Sequence, residues 1–214
     1  EMRRSILYYE NILKKLPIKF ELGHEFTASD ANQFDEIVVA TGAKSLHPRI
    51  PGIDNSNVLD SWDVLSGDAI PYGRIAVCGG GLVGTETAEY LAQRGYKVSI
   101  IEMKEKIAAE ESSTIIPFMM ADFKEHQTEL LPLHKILEFT NAGVRTEVID
   151  KDGNKVSEEL VKADTIVNAL SSVKVLPNLE GVTKPIHYVG DCAGERPSNI
   201  EHAIKSAYDV ASQI

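Results

Sequence analysis

The sequence predicts an α/β protein organised around a parallel sheet, and three observations carry that prediction. An apolar run, Ile75-Ala76-Val77-Cys78, enters the glycine-rich segment GGGLVG at residues 79–84, and a helix-patterned stretch follows. A second run, VSIIE, closes on Glu102. Two further runs, DEIVVATGA at residues 35–43 and DTIVNALSS at residues 164–172, are apolar almost without alternation, as strands covered on both faces are.

From the start of the chain, Ile6, Leu7, Ile12, Leu13 and Leu16 form a helical stripe over residues 3–15, which Pro17 stops. IKFELG at residues 18–23 reads as a strand, the polar ASDANQ as a loop, and residues 35–43 as a buried strand. KSLHPRIPGIDNSN, with Pro48, Pro51 and Gly52, has the texture of a crossover between domains. Val58, Leu59, Trp62, Val64 and Leu65 then read as a short helix leading to Gly73.

The unit that starts near Arg74 carries the chemistry. Gly79 allows the tight turn out of the strand, Gly81 lets the backbone approach a pyrophosphate, and Gly84 lets the helix pack close to the sheet. The phosphates would rest on the positive end of the helix, against the backbone of Leu82 and Val83. Val83, Thr87, Ala88, Leu91 and Ala92 recur at helical spacing over about fourteen residues, and Gly95 ends the helix. Glu102 lies 23 positions after Gly79, close to the roughly 20 at which an acid accepts hydrogen bonds from the adenosine ribose. Its carboxylate favours NAD(H) and repels a 2′-phosphate, with Met103 and Lys104 completing the rim. Lys104 and Lys106 stand near enough to admit NADP(H) if Glu102 turns away. A glycine turn in an ordinary βαβ unit is the competing interpretation.

Beyond Glu102, Ser112 or Ser113 can cap a helix through IIPFMMADFKEH, with Pro117 in its first turns and Met119-Met120 as core filling. GVRTEVID and NKVSEEL are joined at Lys151-Asp152-Gly153, a hairpin signal. Residues 164–172 return to the parallel sheet. Near the end, a strand closing on Gly190-Asp191 leads to a helix whose Ile200, Ala203, Ile204, Ala207, Ala211 and Ile214 share one face, with Ser198 as a cap beside Pro197. Asp191, at a strand end before a helix N-terminus, can hold a sugar-like hydroxyl or simply order its loop.

Composition bounds the alternatives. The 214 residues are 43% hydrophobic and 25% charged, ordinary for a globular protein, and the net charge of −10 argues against a nucleic-acid partner. No apolar stretch approaches about eighteen residues, so no membrane partner and a cytoplasmic location are expected. The two cysteines, Cys78 and Cys192, form no CxxC pair, and the six histidines fall as scattered surface or loop residues with no metal spacing.

IVVATGAKSLHPRIPG, GGGLVGTETAEYLAQRG, IIE and VGDCAGERPSNIEHAI, in that order, resemble the two-dinucleotide flavoproteins of the pyridine-nucleotide oxidoreductase superfamily. The resemblance implies a Rossmann-like NAD(P)-binding domain inserted into a FAD-binding domain: residues 71–176 for the first, residues 1–70 and 177–214 for the second. It implies a FAD half-site at Ala40, Thr41 and Gly42, at Gly190 and Asp191, whose carboxylate would meet the ribityl chain, and at Asn199 and Ile200 near the pyrimidine end of the flavin ring. Glu86, in the extension GxGxxGxE, looks like the acid such enzymes place near the nicotinamide–flavin junction. SWDVLSG and the C-terminal tail are most similar to the NADH:flavin oxidoreductase group, which includes 2,4-dienoyl-CoA reductase and 2-enoate reductase. In a complete enzyme of that group, the resemblance implies electrons relayed from FAD through a 4Fe-4S cluster to FMN. The family's first GxGxxG, before the ATGA turn, is missing, so the FAD-binding domain is expected to be incomplete, as a cut segment or a natural remnant, and tight FAD binding is not expected. A simpler NADH oxidase, a ferredoxin-reductase-like protein and a non-catalytic NAD(H)-sensing module remain open alternatives.

Overall fold

The structure is a computed structural model that describes residues 2–194 and 199–214. The chain opens with helix α1 (Met2–Leu13), two residues shorter than its sequence pattern at the C-terminal end. Residues 18–23 form no strand, contrary to expectation. A strand exists through its ladder, and Ile18, Phe20 and Leu22 lie exposed with no strand alongside. The run at residues 35–43 divides into β1 (Ile37–Val39) and β2 (Ala43–Ser45), broken by the turn at Gly42. Val58 and Leu59, expected in a helix, form β3 (Val58–Asp60) instead. Helix α2 (Ser61–Ser66) begins only after it, with the Asp60 carboxylate accepting the Trp62 N–H at 2.8 Å.

Then follow β4 (Arg74–Cys78), α3 (Leu82–Ala92), β5 (Lys97–Ile101) and α4 (Ile116–Glu125). Helix α3 is 11 residues long, and the chain reverses through Gly95 just beyond it. Ile115, not a serine, occupies the N-cap of α4; Ser112 contributes through its carbonyl, which accepts from Ile115 and Ile116. Two strands that the sequence left unread come next, β6 (Glu129–Leu131) and β7 (His134–Thr140). His134 therefore sits inside a strand, not in a loop, with Nδ1 2.7 Å from the Pro132 carbonyl. The hairpin of β8 (Gly143–Ile149) and β9 (Lys155–Lys162) turns at residues 150–154, where the Asp150 carboxylate gathers the N–H groups of Asp152 and Asn154. The chain closes with β10 (Thr165–Asn168), β11 (Ser172–Lys174), β12 (Ile186–Tyr188) and α5 (Ile200–Ala211).

The main sheet is parallel throughout, in the order β3-β10-β4-β5-β6. Alternate residues of β4 explain its continuous apolar character. Ile75 and Val77 face a core with Leu91 of α3 and Met119 and Phe123 of α4, while Ala76 and Cys78 face Phe139, Val144 and Val161 of the antiparallel sheet β7-β8-β9. Each fully buried aliphatic side chain here contributes about 1.5–3 kcal/mol. The result is three layers: helices, parallel sheet, antiparallel sheet. Residues 58–66, assigned by sequence to the flanking segment 1–70, supply an edge strand and a helix to this unit.

The flanking segments meet each other. Strand β1 pairs in parallel with β12 over a small core of Ala31, Ile37, Val39 and Cys192. Strands β2 and β11, the two connections between the halves, pair antiparallel, and Asn168 ties the end of β10 to the Leu46 carbonyl at 2.8 Å. Helix α5 turns Ala203, Ser206 and Val210 inward and leaves Ile200 and Ile204 exposed, a different face from the one the apolar pattern suggested. Among the described residues, no helix is long and apolar enough to cross a membrane.

Candidate dinucleotide site

The carboxyl end of β4 runs straight into the glycine loop. Gly79 has φ +113°, and a β-carbon there would stand 2.4 Å from the Ala169 carbonyl oxygen at the end of β10. Gly84, in the first turn of α3, is tighter still: its β-carbon would meet the Gly79 carbonyl oxygen at 1.9 Å, so only a glycine lets helix and strand approach this closely. Gly81 is different. It has extended backbone (φ −79°, ψ −168°), and a β-carbon there would meet nothing within 4 Å. Nothing inside the protein requires the third glycine of the run; it leaves space open.

That space lies at an uncapped helix end. Gly81 is the N-cap of α3 and has no side chain to donate to, and the first helical bond runs from Thr85 N–H to the Gly81 carbonyl at 3.0 Å. The N–H groups of Leu82, Val83 and Gly84 precede that bond and, with the helix dipole, form a site for an anion.

Glu102, just past β5, reaches back to the loop. One carboxylate oxygen accepts the Gly80 N–H at 2.7 Å and the other accepts the Lys104 N–H at 2.7 Å. Each oxygen keeps a second acceptor direction for a ribose hydroxyl. Gly80 is also held from its other side, since its carbonyl accepts the Ala108 N–H at 2.8 Å. Ala108 is fully buried and left-handed, φ +56°, an uncommon state for a residue with a β-carbon. Sequence reasoning passed over both residues. Gly80 stood in plain view within the GGG run, whereas no local pattern marks Ala108.

Met103 is exposed, and the Lys104 ammonium lies 3.1 Å from Glu110. Glu86 stands one turn into α3; desolvation first, then the charges of Glu111 and Glu89, push its carboxyl above the ordinary range. The glycine loop and Glu102 thus lie together at the carboxyl edge of the sheet, with Glu86 one turn along the helix that leaves it.

The second group of predicted residues gathers at the carboxyl end of the β1–β12 pair. Val39 is in register with Tyr188, so Ala40–Gly42 and Gly190–Asp191 leave adjacent strands side by side. Thr41 donates to the Val175 carbonyl at 2.5 Å, and the Gly190 N–H donates to Ser206 of α5 at 2.8 Å. Asn199 caps α5, accepting the His202 N–H at 3.0 Å. Ser198 and Pro197, expected at this cap, lie outside the described residues, and Ile200 is exposed.

Cys78 and Cys192 are both buried. Burial pushes the Cys78 thiol up, and Cys192 donates to the carbonyls of Val39 and Val189 at 3.2 and 3.1 Å. Neither is placed as a thiolate ligand, so this chain offers no donor set for a 4Fe-4S cluster. A cavity of about 590 Å³ opens at the opposite, amino end of the sheet, lined by Arg74, Lys97, His126 and Glu129 among others. Its one glycine turn, at Gly95, follows the C-terminal end of α3, where the helix dipole is negative and does not favour an anion.

Fold and loop together define a class, the two-dinucleotide-binding α/β flavoproteins. The chain belongs to the pyridine nucleotide-disulphide oxidoreductase family, whose model matches residues 8–207. It is 36% identical over 214 residues to a bilirubin reductase of Mediterraneibacter gnavus, covering 99% of this chain and 33% of that protein. It is 30% identical over 220 residues to a cinnamate reductase of Clostridium sporogenes, covering 99% of this chain and 32% of the relative. Among solved structures, a 2-naphthoyl-CoA reductase complex matches 98% of the chain and 32% of its own length with a TM-score of 0.83 at 28% identity. The chain spans about a third of the length of these relatives.

Proposed function

We propose that this chain is the nicotinamide-dinucleotide-binding part of a flavoprotein reductase, that it takes NAD(H) in preference to NADP(H), and that residues 1–70 and 177–214 contribute a FAD half-site. The observation that carries the proposal is Gly81, which leaves open space at an uncapped helix end between two glycines locked by contact. When bound, the pair of cofactors would supply hydride transfer from nicotinamide to flavin. The chain's own residues bind and orient. The N–H groups of Leu82 and Val83 meet the pyrophosphate, and Glu102 accepts from the ribose while holding Gly80 in place. Glu86 presents a carboxyl of raised proton affinity beside the path of the nicotinamide.

The relatives' names, a cinnamate reductase and a 2-naphthoyl-CoA reductase, point to conjugated acyl compounds as the substrates of the complete protein. Their C=C reduction would take place outside this chain, in the two thirds of the relatives it does not span. Calorimetric titration tests the binding step: NADH binds one to one and more tightly than NADPH. Equal affinity for the two nucleotides removes the role given to Glu102, and a folded chain that takes up neither removes the proposal.

A further inference from the structure

The rim of the ribose position carries more charge than the NAD motif requires, and the charges are paired in a particular way. The loop that follows Glu102 presents Lys104 within reach of whatever Glu102 binds, because the Lys104 N–H is itself bonded to the Glu102 carboxylate. The Lys104 side chain does not turn toward that position; its ammonium pairs with Glu110, 3.1 Å away. Glu110 is two residues beyond Ala108, whose N–H grips Gly80, so the acid is anchored next to the glycine loop. On the other side, Lys151 of the β8–β9 turn pairs with Glu105 at 2.6 Å. That turn is held against the same loop, since Leu133 donates to the Lys104 carbonyl and Ile149 donates to the Leu133 carbonyl. Two cations of this loop and its neighbouring turn, Lys104 and Lys151, are thus each paired with an acid.

We infer that Glu110 is a specificity-determining residue: it withholds Lys104 from a 2′-phosphate and so reinforces the preference for a free ribose 2′-hydroxyl. The inference rests on the NAD(H) reading of the glycine loop. Glu102 alone repels a phosphate, but a lysine one residue from its neighbour would offset that repulsion if it were free to swing. Glu110 removes that freedom and adds a second negative charge. Both side chains of the pair are more than half exposed, 61% and 64%, so the effect is of modest size and sensitive to salt.

The test is a fluorescence titration of the folded chain with NADH and with NADPH at low salt. Glu110→Gln raises the NADPH-to-NADH affinity ratio about three- to fivefold. Glu110→Asp, which keeps the charge, leaves the ratio within twofold of the wild type, and Lys104→Met in the Glu110→Gln background abolishes the gain. The gain shrinks toward unity at about 1 M salt, where the screening length is near 3 Å. A ratio unchanged in Glu110→Gln while wild type still prefers NADH overturns the inference and leaves the dinucleotide site standing. A gain that survives Lys104→Met or high salt also overturns it. Failure of wild type to bind NADH defeats the underlying reading instead.

Discussion

Replacing Gly81 separates binding from folding more cleanly than any other change in the loop. Its backbone, φ −79° and ψ −168°, is open to every residue, and its β-carbon would touch nothing within 4 Å. Gly→Ala at such a position stabilises by about 0.4–1 kcal/mol through the unfolded chain, offset by the poorer N-cap, so Gly81→Ala and Gly81→Val should fold within about 1 kcal/mol of wild type. The open space is where the pyrophosphate would lie, and a valine there should weaken NADH at least about 100-fold, near 2.8 kcal/mol. Gly84→Ala is the contrast: its β-carbon at 1.9 Å from the Gly79 carbonyl oxygen forces helix and strand apart, an overpacking cost of about 1–3 kcal/mol or more. Calorimetry and thermal unfolding of both variants decide the matter. If Gly81→Val binds NADH within threefold of wild type, or melts as early as Gly84→Ala, the argument fails.

Three further changes probe the surroundings. Glu102→Leu deprives two N–H groups of their acceptor and should lower stability by about 2 kcal/mol as well as weaken NADH, read by denaturant unfolding. Ala108→Gly relieves a left-handed alanine but removes a buried methyl and adds the entropic cost of glycine, so its stability should stay within about 1 kcal/mol of wild type by calorimetric scanning, whereas Ala108→Val, β-branched at positive φ, should lose more than that. Glu86 has its folded pKa raised above 4.5, so its stabilising contribution is present below that value and lost as pH rises through the folded pKa. Glu86→Gln should therefore gain Tm relative to wild type at about pH 7.5 and lose that advantage near pH 4, and a pH-independent difference would contradict the assignment.

The glycine loop was legible because its chemistry is local: three glycines at fixed spacing, an apolar strand before and a helix stripe after. Glu102 was legible for the same reason, although its bond to Gly80 was not, since nothing in the sequence says where a carboxylate turns. Val58 and Leu59 were misread because a three-residue strand is defined by its partner, here β10, more than a hundred positions later. The reverse error fell on residues 18–23, where the apolar alternation of a strand has no ladder to join. Strands β6 and β7 hid behind Pro132, and β7 has only one fully buried residue, Phe139, to mark its inner face. For α5 the apolar stripe pointed to Ile200 and Ile204, but the Gly190 N–H bond to Ser206 fixes a different face inward. The pairing of Lys104 with Glu110 is invisible to any periodicity, because both residues lie in an irregular loop shaped by Ala108.

The central claim, that the carboxyl edge of the parallel sheet is a dinucleotide site, is tested most directly by mapping backbone amide shifts of the labelled chain during NADH titration. Shifts concentrated at residues 80–84 and 102–104 are predicted. Shifts confined to the opposite edge, around Arg74, Lys97 and His126, would contradict it.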